Sequence, residues 1–162
     1  MSPKVASVVD RYEKGVEVFA QALRGVPAEI LDKSPAPGKW SIRQIAVHLA
    51  DSETVGVARF RTIAAQPGSV LKAYDQEAWA QKLAYTQQSP EQALELFSLL
   101  RKTTAAMLRA LPESAWKNTG RHEESGEVVL DKFVEHYCDH VDNHSRQIRE
   151  IRQKFGVPAP GG

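Results

Sequence analysis

The stretch "LDKFVEHYCDHVDNHSRQIREI", Leu130 to Ile151, sets apolar residues at helical spacing and carries three of the chain's five histidines. At about 100° per residue, Leu130, Phe133, Val134, Val141, Ile148 and Ile151 all lie within about 60° of Tyr137, which marks one buried face. A helix with one apolar stripe has to bury it against other elements. The histidines do not share that face equally. His144 falls about 20° from Tyr137, His140 about 60° away at the edge, and His136 about 100° away at the boundary.

Three more segments upstream have the same character. Val5, Val8, Val9, Tyr12, Val16, Phe19, Ala20 and Leu23 fall at helical spacing, and Pro27 ends that helix or starts a short extra turn. "SIRQ" reads as a capping box, with Ser41 accepting from the backbone at Gln44 and Gln44 reaching back. The second helix then runs from about Ser41 to Gln66, with its stripe at Ile42, Ile45, Leu49, Gly56, Phe60 and Ile63, until "QPGS" stops it. "YDQEAW" reads as a short helix with Asp75 near its N-cap. "SPEQ" caps a third long helix at Ser89; its stripe is Ala93, Leu96, Phe97, Leu100, Met107, Leu108 and Leu111, and Pro112 marks its end.

The segment from Pro112 to Val129 is irregular and polar, with a hint of period-two alternation only around Glu127 to Leu130. The last helix begins near Leu130 and ends before Gly156, a C′ glycine with Pro158 behind it. Four amphipathic helices predict an all-α, four-helix bundle. The connection between the second and third is too long for a tight hairpin, so the expected topology contains at least one crossover.

Composition narrows the function classes. The chain has 162 residues, 42% of them apolar, and no Gly/Ser-rich or Pro-rich linker, which predicts a single domain over residues 1–162. A formal net charge of +1 leaves no electrostatic footprint for nucleic acid or an anionic membrane. No apolar run approaches the ~20 residues that span a bilayer. The start, "MSPKVASVVDRYEKG", lacks the apolar core of a signal peptide. The single cysteine, Cys138, excludes an internal disulfide framework. The expected location is the cytoplasm.

Residues four apart on a helix point the same way one turn apart, so two imidazoles can reach one ion. His136 and His144, about 12 Å apart along the axis, cannot share one directly. Burial therefore favours His140 with His144. A third ligand should come from a facing helix, and His48, at the flank of the second stripe, is the candidate. An HxxxH pair alone arises by chance on many helices, and an isolated inward histidine is more often a hydrogen-bonded core residue. Neutral imidazoles suit Zn²⁺, Ni²⁺, Fe²⁺ or Cu²⁺. Three of them leave coordination positions open for water or substrate, the arrangement of a catalytic rather than a closed structural site.

"KWSIRQIAVHLADSE", "RFR", "YDQEAW" and "HVDNHSRQI", in that order, resemble the DinB/YfiT-like metalloprotein superfamily. The resemblance runs from Val5 to about Phe155 and is nearest to the YfiT-type branch, which includes proteins described as metal-dependent hydrolases and bacillithiol S-transferases. It implies a four-helix bundle of crossover topology, often a homodimer. It also implies one Ni²⁺ or Zn²⁺ ion held by His48, His140 and His144. For chemistry it implies transfer of a low-molecular-weight thiol to an electrophile, or hydrolysis of a small molecule.

Several residues have a possible supporting role. A metal that lowers the pKa of a thiol or water supplies a nucleophile at neutral pH, so no reactive cysteine is needed and Cys138 reads as a small apolar filler. His122, in "GRHEESGEVV", resembles a histidine of YfiT-type members and is a candidate acid/base or substrate contact; a solvated loop histidine is the alternative. Arg59 lies 11 residues past His48, within about 20° of the same face and about 16 Å along the axis. It is placed to hold a distant substrate carboxylate or to form a boundary salt bridge. Glu53, inside the second stripe, needs a partner; it or Asp51 is expected to orient a ligand imidazole, and His136 to stand behind the ligands or on the surface. Trp40, Tyr74 and Trp79 are expected to wall a substrate pocket or to pack around loops. Three functions fit: a metal-dependent thiol transferase or hydrolase, a non-catalytic metal-containing ligand-binding or stress-related bundle, and a plain bundle acting through dimerisation.

Overall fold

The computed structural model describes residues 2–158. The punctuation read above is realised at the helix starts. The Ser41 hydroxyl accepts from the Gln44 backbone while the Gln44 side chain accepts from the Ser41 N–H, opening helix α3 (Ile42–Ala65). Ser2, Asp75 and Ser89 cap α1 (Pro3–Leu23), α4 (Gln76–Lys82) and α5 (Pro90–Ala110) by the same kind of bond. A single short turn, α2 (Ala28–Leu31), follows Pro27, and α6 (Leu130–Lys154) ends before Gly156, whose φ is +71°.

Helix α1 packs on α5 and α6, and α3 packs on the same two from the other side, so α1 and α3 are diagonal partners. One core cluster joins Val5 and Val9 of α1 with Phe60 and Ile63, Leu108, and Leu130 to Tyr137. A second joins Phe19 and Ala22 with Ile42 to Leu49, Phe97, and Val141 to Ile151. Helices α1 and α6 therefore run one way, and α3 and α5 the other. Neighbours α3 and α5 are parallel, so no hairpin can join them. Residues 66–89 must travel back along the bundle, which is the crossover that the length of this segment predicted.

That returning segment is used. Helix α4 and the 3₁₀ turn Tyr85–Gln87 pack outside α3 around Val47, Ala50, Ala80 and Ala93. Ahead of them, β1 (Val70–Leu71) pairs in parallel with β2 (Thr119–His122), which forms a hairpin with β3 (Gly126–Val129). The alternation near Glu127 does become a strand, but its partners were not visible. A two-residue strand carries no periodicity to read. Strand β2 can lie on α3 because residue 120 is glycine: a Cβ there would meet Leu71 Cδ1 at 2.9 Å and Ile63 Cγ1 at 3.0 Å.

Between the two apolar clusters lies a buried ionic layer. The Arg101 guanidinium is fully buried; it donates to Glu53 Oε2 at 2.9 Å and to the backbone carbonyls of Tyr12 and Tyr137, each at 2.7 Å. The Tyr12 hydroxyl donates to the other Glu53 oxygen. Glu53 thus finds the partner that its buried position requires, but the partner is Arg101 rather than a ligand imidazole, because Arg101 projects from α5 into the centre of the bundle. At the other end, Arg152 donates to the carbonyls of Ala22 (2.9 Å) and Arg24 (2.7 Å), satisfying the exposed end of α1. Among the described residues no helix is long and apolar enough to cross a membrane.

Candidate metal centre

Helices α3 and α6 are antiparallel neighbours, and the seam between them brings His48, His140 and His144 together. One ring nitrogen of each lies within 4.8 Å of the other two. The Nε2 atoms of His48 and His140 face each other at 3.2 Å, and the ring centroids of the three pairs are 4.5–5.2 Å apart. Two nitrogens about 2.0–2.1 Å from one tetrahedral ion stand roughly 3.3 Å apart, so the spacing suits a shared divalent ion. The face reading of the sequence favoured His140 with His144, and the need for a ligand from a facing helix named His48 as the candidate third.

The electrostatics agree. Burial, reinforced by the neighbouring imidazole of His144, pushes His48 down to about 3. Burial and then the His144 and His48 imidazoles push His140 down to about 2. His144 is lowered by burial as well. All three are neutral at physiological pH, the form that offers a lone pair to a metal. The His48 Nδ1 is buried without a protein partner, while His144 Nδ1 bonds Gln147 Oε1 at 2.9 Å. An amide oxygen only accepts, so His144 Nδ1 carries the proton and its Nε2 is free to ligate. Gln147 thus fixes the orientation and tautomer of the His144 ring. Its place three residues after His144 was the available signal, and it was missed because glutamine also suits a solvated face.

The other expected residues separate. Asp51 accepts from the Tyr85 hydroxyl at 2.6 Å and so anchors the crossover segment instead of orienting a ligand. Glu53 is committed to Arg101. Trp40 covers the cluster: its ring lies 4.7 Å from His48 and stacks at 19° over His144, held by an Nε1 bond to Glu77 at 3.2 Å. Tyr74 lines a cavity, while Trp79 sits behind it at 4.5 Å and packs against the Val47 cluster. His136 is exposed and stacks on Phe133 at the cavity rim, with its ring 6.4 Å from His140. Cys138 is buried, and burial pushes its thiol up to about 11; it is the inert filler expected.

Two cavities open beside the cluster. The first, about 680 Å³, reaches His140 and is lined by Arg59, Tyr74, His122 and His136 among others. The second, about 560 Å³, reaches His144 and is lined by Trp40, Glu77, Gln147 and Lys154 among others. His122 is buried at the end of β2, not solvated. Its Nδ1 accepts the backbone N–H groups of Glu124 and Ser125, both at 3.3 Å, so the neutral ring carries its proton on Nε2.

Fold and cluster together define a crossover helical bundle with a three-histidine centre fit for a divalent metal ion. The chain belongs to the DinB superfamily, whose family model matches residues 11–148. It is 32% identical over 123 residues to a "Putative metal-dependent hydrolase" of Oceanobacillus iheyensis, spanning 76% of this chain and 71% of that one. It is 27% identical over 150 residues to "Putative metal-dependent hydrolase YfiT" of Bacillus subtilis, spanning 85% and 84%. The solved structure of Bacillus subtilis YfiT, described as an unusual four-helix bundle topology, matches with a TM-score of 0.91 at 24% identity. It covers 98% of this chain and 91% of that one, and it establishes the fold.

Proposed function

We propose that the protein is a metal-dependent enzyme, with Ni²⁺ or Zn²⁺ held by His48, His140 and His144, that transfers a low-molecular-weight thiol to a small electrophile. The observation that carries this reading is the position of the cluster between two cavities, one reaching His140 and the other His144. A transfer reaction has two organic substrates to place, and each cavity suits one. Hydrolysis of a single small molecule is the second reading, favoured by the hydrolase names of the relatives.

A bound divalent ion supplies a lowered pKa to a thiol or water, and so a nucleophile at neutral pH. In the transfer, a sulfur–carbon bond forms, the bond from carbon to the leaving group breaks, and the thiol proton leaves with that group. The chain's own residues do the rest. Gln147 holds the ligating tautomer of His144, Trp40 screens the imidazoles from bulk water, and His122 presents an N–H to the cavity.

Metal analysis of the purified protein and an assay of the metal-loaded form test the reading together. Stoichiometric metal is expected, with turnover of monochlorobimane in the presence of cysteine or N-acetylcysteine. Release of nitrophenol from a nitrophenyl ester without any thiol would favour hydrolysis instead. Metal binding with neither activity would overturn both and leave a non-catalytic ligand-binding bundle.

A further inference from the structure

Two buried arginines, Arg59 and Arg152, form no ion pair among the described residues; Arg152 is spent on the carbonyls that end α1, whereas Arg59 lines the cavity that reaches His140. Arg59 is 9% exposed, and its Nε is buried with no partner. One terminal nitrogen donates to the backbone carbonyl of Lys72, and the guanidinium lies 5.9 Å from the Tyr74 ring, with the Tyr137 hydroxyl beside it. These contacts fix its orientation but do not neutralise it. Among the described residues no carboxylate lies within ion-pair distance. The two acids lining the cavity form no ion pair with Arg59: Asp75 caps α4, and Glu124 is exposed on the β2–β3 turn. An uncompensated buried cation is costly unless something binds it.

His122 lines the same cavity as Arg59, and its tautomer is set by two backbone amides. Those bonds occupy Nδ1 and leave Nε2–H as the only donor the ring can offer. The cavity therefore holds one fixed cation and one fixed neutral donor, and it opens on the ligand His140. Arg59 stands three turns beyond His48 on α3, about 16 Å along the axis, and a long helical side chain leans back toward the N-terminus. A molecule spanning guanidinium and imidazoles is thus elongated, with an acid group at one end and its reacting atom at the other.

We infer that Arg59 and His122 form a carboxylate-binding subsite, so that the substrate occupying the His140 cavity is a small elongated acid. This inference gives a substrate class to the function proposed above and rests on it for the identity of the reacting end. The carboxylate belongs to the thiol or to the electrophile, and the two sources are separable.

The test measures dissociation constants on the full-length, metal-loaded protein by calorimetry with matched pairs of probes. N-acetylcysteine against its amide examines the thiol; 4-(chloromethyl)benzoate against the corresponding benzamide, in the absence of thiol, examines the electrophile. In at least one pair the acid is expected to bind about tenfold or more tighter than the amide, as a charge-assisted contact requires. Arg59→Met should abolish that preference, His122→Phe should reduce it, and His122→Gln, which keeps a donor near Nε2, should retain most of it. Metal content should stay at the wild-type level in all three. Should Arg59→Met fail to fold, the contrast between His122→Phe and His122→Gln carries the test. Equal affinity for acid and amide in both pairs, or an acid preference that survives every variant, overturns the subsite. Loss of turnover or of metal with the acid preference intact would instead count against the proposed reaction and leave the subsite standing.

Discussion

The Nε2 atoms of His48 and His140 face each other at 3.2 Å across the seam between α3 and α6, although 92 residues separate them in the chain. Neither ring is charged at neutral pH, the form in which an imidazole nitrogen offers a lone pair. The close approach puts two lone-pair sites where one cation can use both.

His144→Ala should lose bound metal while keeping the bundle folded, because its ring lies at the half-buried edge of the core. Gln147→Ala should weaken metal binding by about 10–100-fold, the usual effect of losing a partner that orients a ligand histidine. Competitive titration against a chelator measures both. Wild-type affinity in Gln147→Ala would show that the bond to His144 Nδ1 orients nothing.

Stability of the metal-free protein should fall with acid in a defined window. Unfolded histidines titrate near 6.5, whereas His48 and His140 are held near 3 and 2 by burial. Above pH 6.5 both folded and unfolded chains carry neutral imidazoles, and this contribution is fully present. Below it, the unfolded chain binds protons that the folded chain refuses, so stability is lost as pH falls toward the folded values. Each such group steepens the slope by up to about 1.4 kcal/mol per pH unit. Urea denaturation between pH 7 and 4 should show a shallower loss in His48→Gln than in wild type; identical slopes would contradict the burial argument.

Breaking the central ion pair should cost far more than removing it whole. Arg101→Met leaves Glu53 buried beside Tyr12 without its cation, and about 3–5 kcal/mol of destabilisation is expected. The double variant Glu53→Gln with Arg101→Met should lose clearly less than the sum of the single variants. Additive losses in urea denaturation would mean that the two side chains act independently.

Gly56→Ala should destabilise the protein even though alanine is the better helix former by about 1 kcal/mol. Residue 56 is buried against the Tyr137 ring, and a Cβ there would stand 2.3 Å from Tyr137 Cε1. Overpacking of this kind costs about 1–3 kcal/mol, so a net loss should appear in thermal melts. A gain in melting temperature would show that the ring can move aside.

Much of this protein is decided locally and can be read in one dimension. Caps at Ser41 and Ser89 act within three residues of chain, and the stripe of the last helix follows from its period alone, so helix positions and the inward turn of His140 and His144 were legible. His144, expected near the middle of the core face, lies half-buried at its edge because only packing sets how far α3 covers it. The choice of His48 needed only the rule that a metal wants a ligand from a second helix. Tertiary structure decided which groups meet across distance. Glu53 turned to Arg101 and Asp51 to Tyr85 because burial dictates that a charge find a partner but not which one. Strand β1 is too short to carry a pattern, and β2 owes its contact with α3 to the missing side chain at Gly120. Arg59 and His122 share a cavity because the returning segment between parallel helices α3 and α5 brings β1, and with it β2, over the same face. Spacing along a helix can name two histidines of this cluster; only the packed chain puts a cation and an N–H donor in the cavity beside them.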